Sequence, residues 1–106
     1  MLEVNKETFE AEVLHASGAV AVDWWSPQCE PCKELLPEVE HLADQFGAKI
    51  KFCKVNVVEN RRLAIGNKVL GLPTFLFFKD GQKVAELAGP EACTPEAIQA
   101  ELNRLA

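Results

Sequence analysis

The feature that most constrains the fold of this chain is an apolar segment that runs almost directly into a pair of cysteines. Residues Ala19–Trp25 are apolar except for Asp23. A segment of seven residues favours a buried parallel strand over a helix, which is normally longer. Cys29 and Cys32 follow after a short turn, and apolar residues then recur at helical spacing over 31–46. The order of strand, cysteine pair and helix predicts an α/β fold with two thiols at the start of a helix.

Hydrophobic periodicity predicts further strands and helices along the rest of the chain. They are an edge strand at 1–4, a helix at 6–15, strands at 50–57, 74–79 and 84–88, and a short helix at 59–66. Asp80-Gly81 is a hairpin-turn dipeptide between the last two strands. Thr94-Pro95-Glu96 opens a final helix, with a proline and an acidic residue in its first turn. The resulting order, β-α-β-α-β-α-β-β-α, predicts a mixed central sheet with helices on both faces.

Length and charge limit the chain to one domain and exclude two classes of partner. At about 100–200 residues per domain, the 106 residues form a single domain over 1–106. No apolar run approaches the roughly 18 residues of a membrane span, and the start of the chain has no secretory signal pattern. With 11 basic and 16 acidic residues, the net charge of −5 opposes binding to a nucleic-acid backbone. We therefore expect a cytoplasmic protein with no membrane or nucleic-acid partner, and we expect it to be a monomer.

The position of the cysteine pair favours redox chemistry over the other uses of the same spacing. Unpaired N–H groups and a partial positive charge at a helix start stabilise a thiolate at Cys29, and a thiolate is the species that attacks disulfides. A structural disulfide from Cys29 to Cys32 would close too short a loop to constrain the unfolded chain. A zinc site needs a second close pair, whereas Cys53 and Cys93 lie far apart, and haem attachment needs a histidine where Lys33 stands. We predict a redox dithiol that uses no metal and no cofactor.

The segment around this pair resembles the active site of the thioredoxin family. The resemblance is carried by 22–33, with the sequence VDWWSPQCEPCK, and continues through Pro37, 71–74 (GLPT), 77–81 (FFKDG) and Gly89. It covers essentially the whole chain in the family's order. It implies the thioredoxin fold and a thiol-disulfide oxidoreductase that reduces disulfide-containing substrate proteins, carries electrons and maintains cell redox homeostasis. It also implies that a thioredoxin reductase regenerates the dithiol.

Asp23 and Lys54 are charged residues on the apolar faces of neighbouring predicted strands. Asp23 has the same parity as Ala19 and Ala21, and Lys54 has the parity of Ile50. Such charges are costly unless they are paired or solvated, and a desolvated aspartate is expected to have a raised pKa. An aspartate held at a strand end by a backbone partner is the alternative reading. The resemblance implies that Asp23 accepts the proton of the second cysteine and that Lys54 lies beside it.

The loop around Pro73 is where the resemblance places the bound substrate. It implies a cis peptide bond before Pro73, although most such bonds in proteins are trans. It further implies that the backbone of Leu72 pairs with an extended segment of the substrate, as in strand addition. Ala88 and Gly89 are expected to form the opposite lip of this site.

Two residues of the cysteine motif differ from the family's usual pattern. Gln28 stands where the family usually has tryptophan, and Glu30 stands before Pro31 where it usually has glycine. Gln28, Glu30 and Pro31 are expected on the surface that meets partners. The two differences therefore bear on partner range and redox potential. Two alternatives to a general reductase stay open: an electron donor to one dedicated partner, and a binding module that uses the fold as a scaffold.

The other thiols and the tryptophan pair have simpler expected roles. Cys53 is expected to be a small buried apolar residue, and Cys93, in the loop before the last helix, an exposed surface thiol. Trp24 and Trp25 point oppositely in a strand, so one is expected in the core and the other near the cysteines.

Overall fold

The computed structural model describes all 106 residues, Met1–Ala106. Five strands form one sheet: β1 (Leu2–Glu3), β2 (Ala19–Trp25), β3 (Ile50–Asn56), β4 (Thr74–Lys79) and β5 (Gln82–Ala88). Their spatial order is β1-β3-β2-β4-β5. β1 and β2 each run parallel to β3, whereas β4 runs antiparallel to both β2 and β5. The predicted mixed sheet is therefore confirmed.

Helices cover both faces of this sheet, as predicted. They are α1 (Glu30–Phe46), α2 (Arg61–Gly66), α3 (Pro95–Leu105) and a short π-helical segment, Glu10–Leu14. One buried cluster joins the sheet to the π-helical segment and α2, and a second joins the other face to α1 and α3. None of these helices has the length and apolar character needed to cross a membrane.

The alternation of side chains along β2 explains its unbroken hydrophobicity. Val20, Val22 and Trp24 belong to the cluster under the π-helical segment, while Ala19 and Ala21 belong to the cluster under α1 and α3. Both faces of this central strand are therefore buried, and the alanine side chains face α1 and α3. Asp23 lies on the alanine face, because side chains alternate with a period of two residues.

Two predicted helices are shorter than the sequence pattern indicated. The segment predicted as a helix at 6–15 is a turn followed by the π-helical segment, in which His15 N–H donates to Glu10 O at 2.9 Å. The helix predicted at 59–66 begins only at Arg61. The buried Asn60 accepts from Lys6 N–H and donates to Asn56 O, both at 2.9 Å, and these long-range and local contacts hold it outside the helix.

The predicted hairpin turn is confirmed by backbone angles that few residue types tolerate. Asp80 has φ 50° and Gly81 has φ 85°, as a two-residue turn of this hand requires. A Cβ atom at Gly81 would clash with the Leu14 carbonyl oxygen, so this position needs glycine for space as well. β5 consequently starts at Gln82, two residues before the predicted start.

Candidate active site

The cysteine pair lies at the start of α1, just after the end of β2. Cys29 is the N-cap of α1, and its Sγ accepts a hydrogen bond from Cys32 N–H at 3.2 Å. The two residues are joined by a disulfide, with their Cα atoms 5.3 Å apart. Cys29 is half-buried, whereas Cys32, one turn further on, is only 6% exposed. The sulfur at the positive end of the helix is thus the accessible one.

The surface around Cys29 is formed by the three motif residues expected to face partners. Gln28, Glu30 and Pro31 are all exposed, and Pro31 occupies the first turn of α1, where no backbone donor is needed. Glu30 forms an ion pair with Lys33 at 3.4 Å. Because 73% of the Glu30 side chain is exposed, its charge is strongly screened by solvent.

Asp23 lies beneath the pair, next to the buried sulfur. It is 4% exposed and stands in register with Lys54 of β3. A cavity of about 60 Å³ is lined by Asp23, Cys32 and Lys54, together with Trp25 and Leu36 of the surrounding wall. The fold therefore brings Asp23, the Cys32 sulfur and Lys54 to one small cavity, as the family resemblance implied, and Lys33 also lines it.

Burial raises the pKa of Asp23 from 3.8 to about 7. The positive charge of Lys54 lowers it and the negative charge of Glu3 raises it, but desolvation is the largest cause. No hydrogen bond to the backbone contributes, which argues against the alternative of a structurally held aspartate. A carboxyl group with a pKa near 7 is suited to exchanging a proton at neutral pH.

The loop before β4 and the end of β5, which were predicted to form the two lips of a substrate site, lie next to each other. The Leu72–Pro73 bond is cis, as expected. Gly89 N–H donates to Pro73 O at 2.8 Å, and Ala88 is in register with Thr74. The structure therefore brings Leu72, Pro73, Ala88 and Gly89 together.

Two surface grooves extend from this loop. One, of about 410 Å³, has Pro31 and Pro73 in its walls and so connects the start of α1 to the lip. The other, of about 240 Å³, is mostly apolar and runs from Leu72 past Ile65 and Leu70. Ile65 and Leu70 are 67% and 90% exposed, and the sequence interpretation missed both. The sequence signal that could have identified them is a pair of apolar residues on the two sides of the turn at 67–68.

Cys93 is buried, so the prediction of a surface thiol is wrong. It is 4% exposed, and its Sγ lies 3.2 Å from Leu87 O and 3.4 Å from Pro73 O. Cys93 N–H donates to Gly89 O at 3.1 Å, and this turn folds the side chain under the lip. Burial raises the pKa of the thiol to about 11.

The expectations for Cys53 and for the tryptophan pair are confirmed. Cys53 is fully buried, and burial raises its pKa to about 11. Trp24 lies in the core, while Trp25 borders the cavity that holds Asp23 and Cys32. The chain contains no group of three or more His, Cys, Asp or Glu side chains arranged to hold a metal ion.

The thioredoxin family model matches residues 1–104. The chain belongs to the thioredoxin family. It is 49% identical over 92 residues to the thioredoxin of Acetoanaerobium sticklandii, covering 87% of this chain and 88% of that protein. It is 49% identical over 104 residues to the thioredoxin of Peptoclostridium acidaminophilum, covering 98% and 94%. Thioredoxin 1 of a Nostoc species is 37% identical over 102 residues, covering 94% of this chain and 95% of that protein.

Family membership and the Cys29–Cys32 pair together establish the chemistry. A thioredoxin-family chain with this disulfide at a helix N-terminus is a dithiol oxidoreductase that reduces protein disulfides. The 49% identity to a thioredoxin over 98% of this chain disfavours the binding-module alternative.

Proposed function

We propose that this thioredoxin-family reductase uses Cys29 as the attacking thiol, Cys32 as the resolving thiol and Asp23 as the proton acceptor. One observation carries the assignment: only Cys29 is accessible, whereas Cys32 is buried beside a cavity that it shares with Asp23. A substrate disulfide can reach the first sulfur but not the second.

The reaction proceeds in two exchanges. The Cys29 thiolate attacks one sulfur of the substrate disulfide, the substrate S–S bond breaks, and the other substrate sulfur leaves as a thiolate. Asp23 then takes the proton of Cys32. The Cys32 thiolate attacks Cys29 Sγ, breaking the mixed disulfide and releasing the second substrate thiolate. Two electrons have passed to the substrate, its thiolates take up protons, and the Cys29–Cys32 disulfide remains.

The surroundings of the dithiol support specific roles in binding and charge balance. We assign Leu72 and Pro73 to one lip of the substrate site, Ala88 and Gly89 to the other, and the exposed Gln28, Glu30 and Pro31 to the partner-facing surface. An extended substrate segment adds to the Leu72 backbone. Lys54 lines the Asp23 cavity, where its positive charge offsets the desolvation of the carboxylate.

In the cell, we infer, the chain acts as a monomeric electron carrier formed by a single domain over 1–106. A thioredoxin reductase returns the dithiol to its reduced form, and the reaction needs no bound metal or cofactor. The net charge of −5 supports the absence of a nucleic-acid partner. The two unpaired thiols support a reducing, cytoplasmic location.

Cysteine variants test the assignment of attacking and resolving thiols. Reduction of the disulfides of insulin, coupled to a thioredoxin reductase, is expected to be lost in Cys29→Ser. Cys32→Ser is expected to accumulate a mixed disulfide with the substrate, visible by mass spectrometry under non-reducing conditions. A mixed disulfide that forms through Cys32 in the Cys29→Ser variant would reverse the two roles.

A dedicated-donor role is the second candidate, because Gln28 and Glu30 give the partner surface a polarity unusual for the family. Trapping with Cys32→Ser separates the two possibilities. A general reductase is expected to capture many proteins from a cell extract, whereas a dedicated donor captures one dominant partner.

A further inference from the structure

Three charged side chains stand in register across three neighbouring parallel strands. Glu3 of β1 lies opposite Lys54 of β3, and Lys54 in turn lies opposite Asp23 of β2. Residues directly opposite each other on parallel strands point to the same face of a sheet. One ammonium group is thus flanked by two carboxyl groups, of which only Asp23 has a part in the proposed reaction.

Lys54 contacts a side chain on each flanking strand, but its ion pair is with the carboxylate of β1. Lys54 Nζ lies 4.0 Å from Glu3 Oε1 and 5.6 Å from the centre of the Trp25 ring, and it makes no ion pair with Asp23. The Lys54 side chain is 28% exposed and that of Glu3 is 51% exposed, while Asp23 is buried. Glu3 therefore offers the ammonium group a partner at the solvent-exposed end of the row.

Where the ammonium group lies decides how basic Asp23 is. A lysine placed directly against a buried carboxylate favours the charged form and weakens it as a proton acceptor. A second carboxylate opposes this in two ways, since it attracts the ammonium group and adds negative charge of its own. The effects of the two charges on the pKa of Asp23 agree with this argument, because Lys54 lowers the pKa and Glu3 raises it.

We propose that Glu3 is a positioning residue for the proton transfer, drawing the Lys54 ammonium group toward β1 so that Asp23 remains basic enough to take the proton of Cys32. The proposal rests on the role of Asp23 given above. Glu3 itself touches neither the thiols nor the cavity that Asp23 lines.

The other charged or titratable groups that face Asp23 do not duplicate this role. From α1, Cys32 is the proton donor itself, and Lys33 borders the same cavity but is paired with Glu30. From the loop before α3, Cys93 is near enough for Asp23 to influence it. Its thiol stays neutral at pH 7, since burial raises its pKa to about 11.

The test is the titration of the Asp23 carboxyl carbon, followed by NMR in Glu3→Gln and in a matched control. Glu12→Gln removes the same charge and an ion pair to another lysine of β3, Lys51 at 2.7 Å, but on the opposite face of the sheet. Glu3→Gln is expected to lower the Asp23 midpoint by roughly half a pH unit. Glu12→Gln is expected to leave it unchanged, and Glu3→Asp to recover part of the shift.

A double variant distinguishes action through Lys54 from direct repulsion. In a Lys54→Met background, Glu3→Gln is expected to move the Asp23 midpoint by less than half of its effect in the parent protein. An equal shift in both backgrounds, an unchanged midpoint in Glu3→Gln, or the same shift in Glu12→Gln would overturn the proposal.

The pH profile of mixed-disulfide resolution links the titration to the reaction. Its midpoint is expected to fall together with that of Asp23 in Glu3→Gln. If the Asp23 titration moves while the rate profile does not, Glu3 is no positioning residue for this reaction. If Asp23→Asn itself leaves the rate and profile unchanged, the proposed role of Asp23 fails instead, whatever Glu3 does to the titration.

Discussion

The redox pair and the two remaining thiols differ in what surrounds each sulfur atom. Cys29 caps α1 and is reachable from solvent, and Cys32 borders a cavity with Asp23 and Lys54. Cys53 and Cys93 are buried outside α1, and burial raises the pKa of each to about 11. Four identical functional groups thus divide into a reactive pair and two neutral thiols. A helix terminus stabilises a thiolate at Cys29, the proposed proton acceptor Asp23 lies beside Cys32, and burial opposes charge at Cys53 and Cys93.

The largest expected effect is the loss of activity when the reactive pair is broken. Cys29→Ser is expected to lower disulfide reductase turnover by more than about 1000-fold, because no other accessible thiol can form the mixed disulfide. Cys53→Ala is the matched control and is expected to keep turnover within about twofold, since Cys53 lies on the far face of β3. Comparable losses in both variants would remove the distinction between the two kinds of thiol.

Replacing Asp23 removes the buried carboxyl group beside Cys32 and is expected to change how the stability of the fold depends on pH. The pKa of Asp23 rises from 3.8 to about 7 on folding, so the folded state loses stability as the pH rises through this range. At about 1.4 kcal/mol per pKa unit, Asp23→Asn is expected to raise the free energy of unfolding by about 4 kcal/mol above pH 7, with little change below pH 3.8. Urea unfolding of the oxidised protein at both pH values measures this.

The same variant is expected to slow resolution of the mixed disulfide while it stabilises the fold. Asp44→Asn, on the exposed side of α1, serves as a control that removes one carboxylate without changing the cavity. A gain in stability that is equal at both pH values would contradict the assignment of a raised pKa to Asp23.

The next effect concerns the buried thiol beneath the lip. Cys93→Ala is expected to cost about 1 kcal/mol of stability, because it leaves a small cavity and removes the weak S–H contacts to Pro73 O and Leu87 O. It is expected to raise KM for a protein disulfide about twofold while kcat is unchanged, since the contact steadies the substrate lip. Cys53→Ala is expected to lose similar stability with no change in KM. A change in kcat in Cys93→Ala would show that this thiol contributes to the chemistry.

The smallest expected effect is that of Glu30, the acidic residue between the cysteines. Its charge is exposed and paired with Lys33, and an exposed ion pair is worth about 0.5 kcal/mol. Since 30 mV corresponds to about 1.4 kcal/mol for a two-electron couple, Glu30→Gln is expected to move the reduction potential by less than about 10 mV. Equilibration against glutathione measures it. A shift of several tens of millivolts would show that Glu30 acts directly on the Cys29 sulfur.

The order of elements and the place of the dithiol were determined by the sequence alone, because the signals are local. A seven-residue segment that is apolar except for Asp23, a turn and a stripe of apolar residues at helical spacing mark the end of β2 and the start of α1. The same holds for the Asp80-Gly81 turn, whose backbone angles suit few other residue types. Parity within two strands was enough to place Asp23 and Lys54 on apolar faces.

Only the tertiary structure decided which distant groups meet. Cys93 is buried because the turn after Gly89 returns it beneath Pro73, a contact between residues 20 positions apart that no local pattern encodes. Glu3 faces Lys54 because a two-residue strand adds to the edge of the sheet in one particular register. The π-helical segment and the late start of α2 have the same origin. Long-range packing and hydrogen bonds override weak local preferences wherever a segment is short, and the local pattern prevails where it is long.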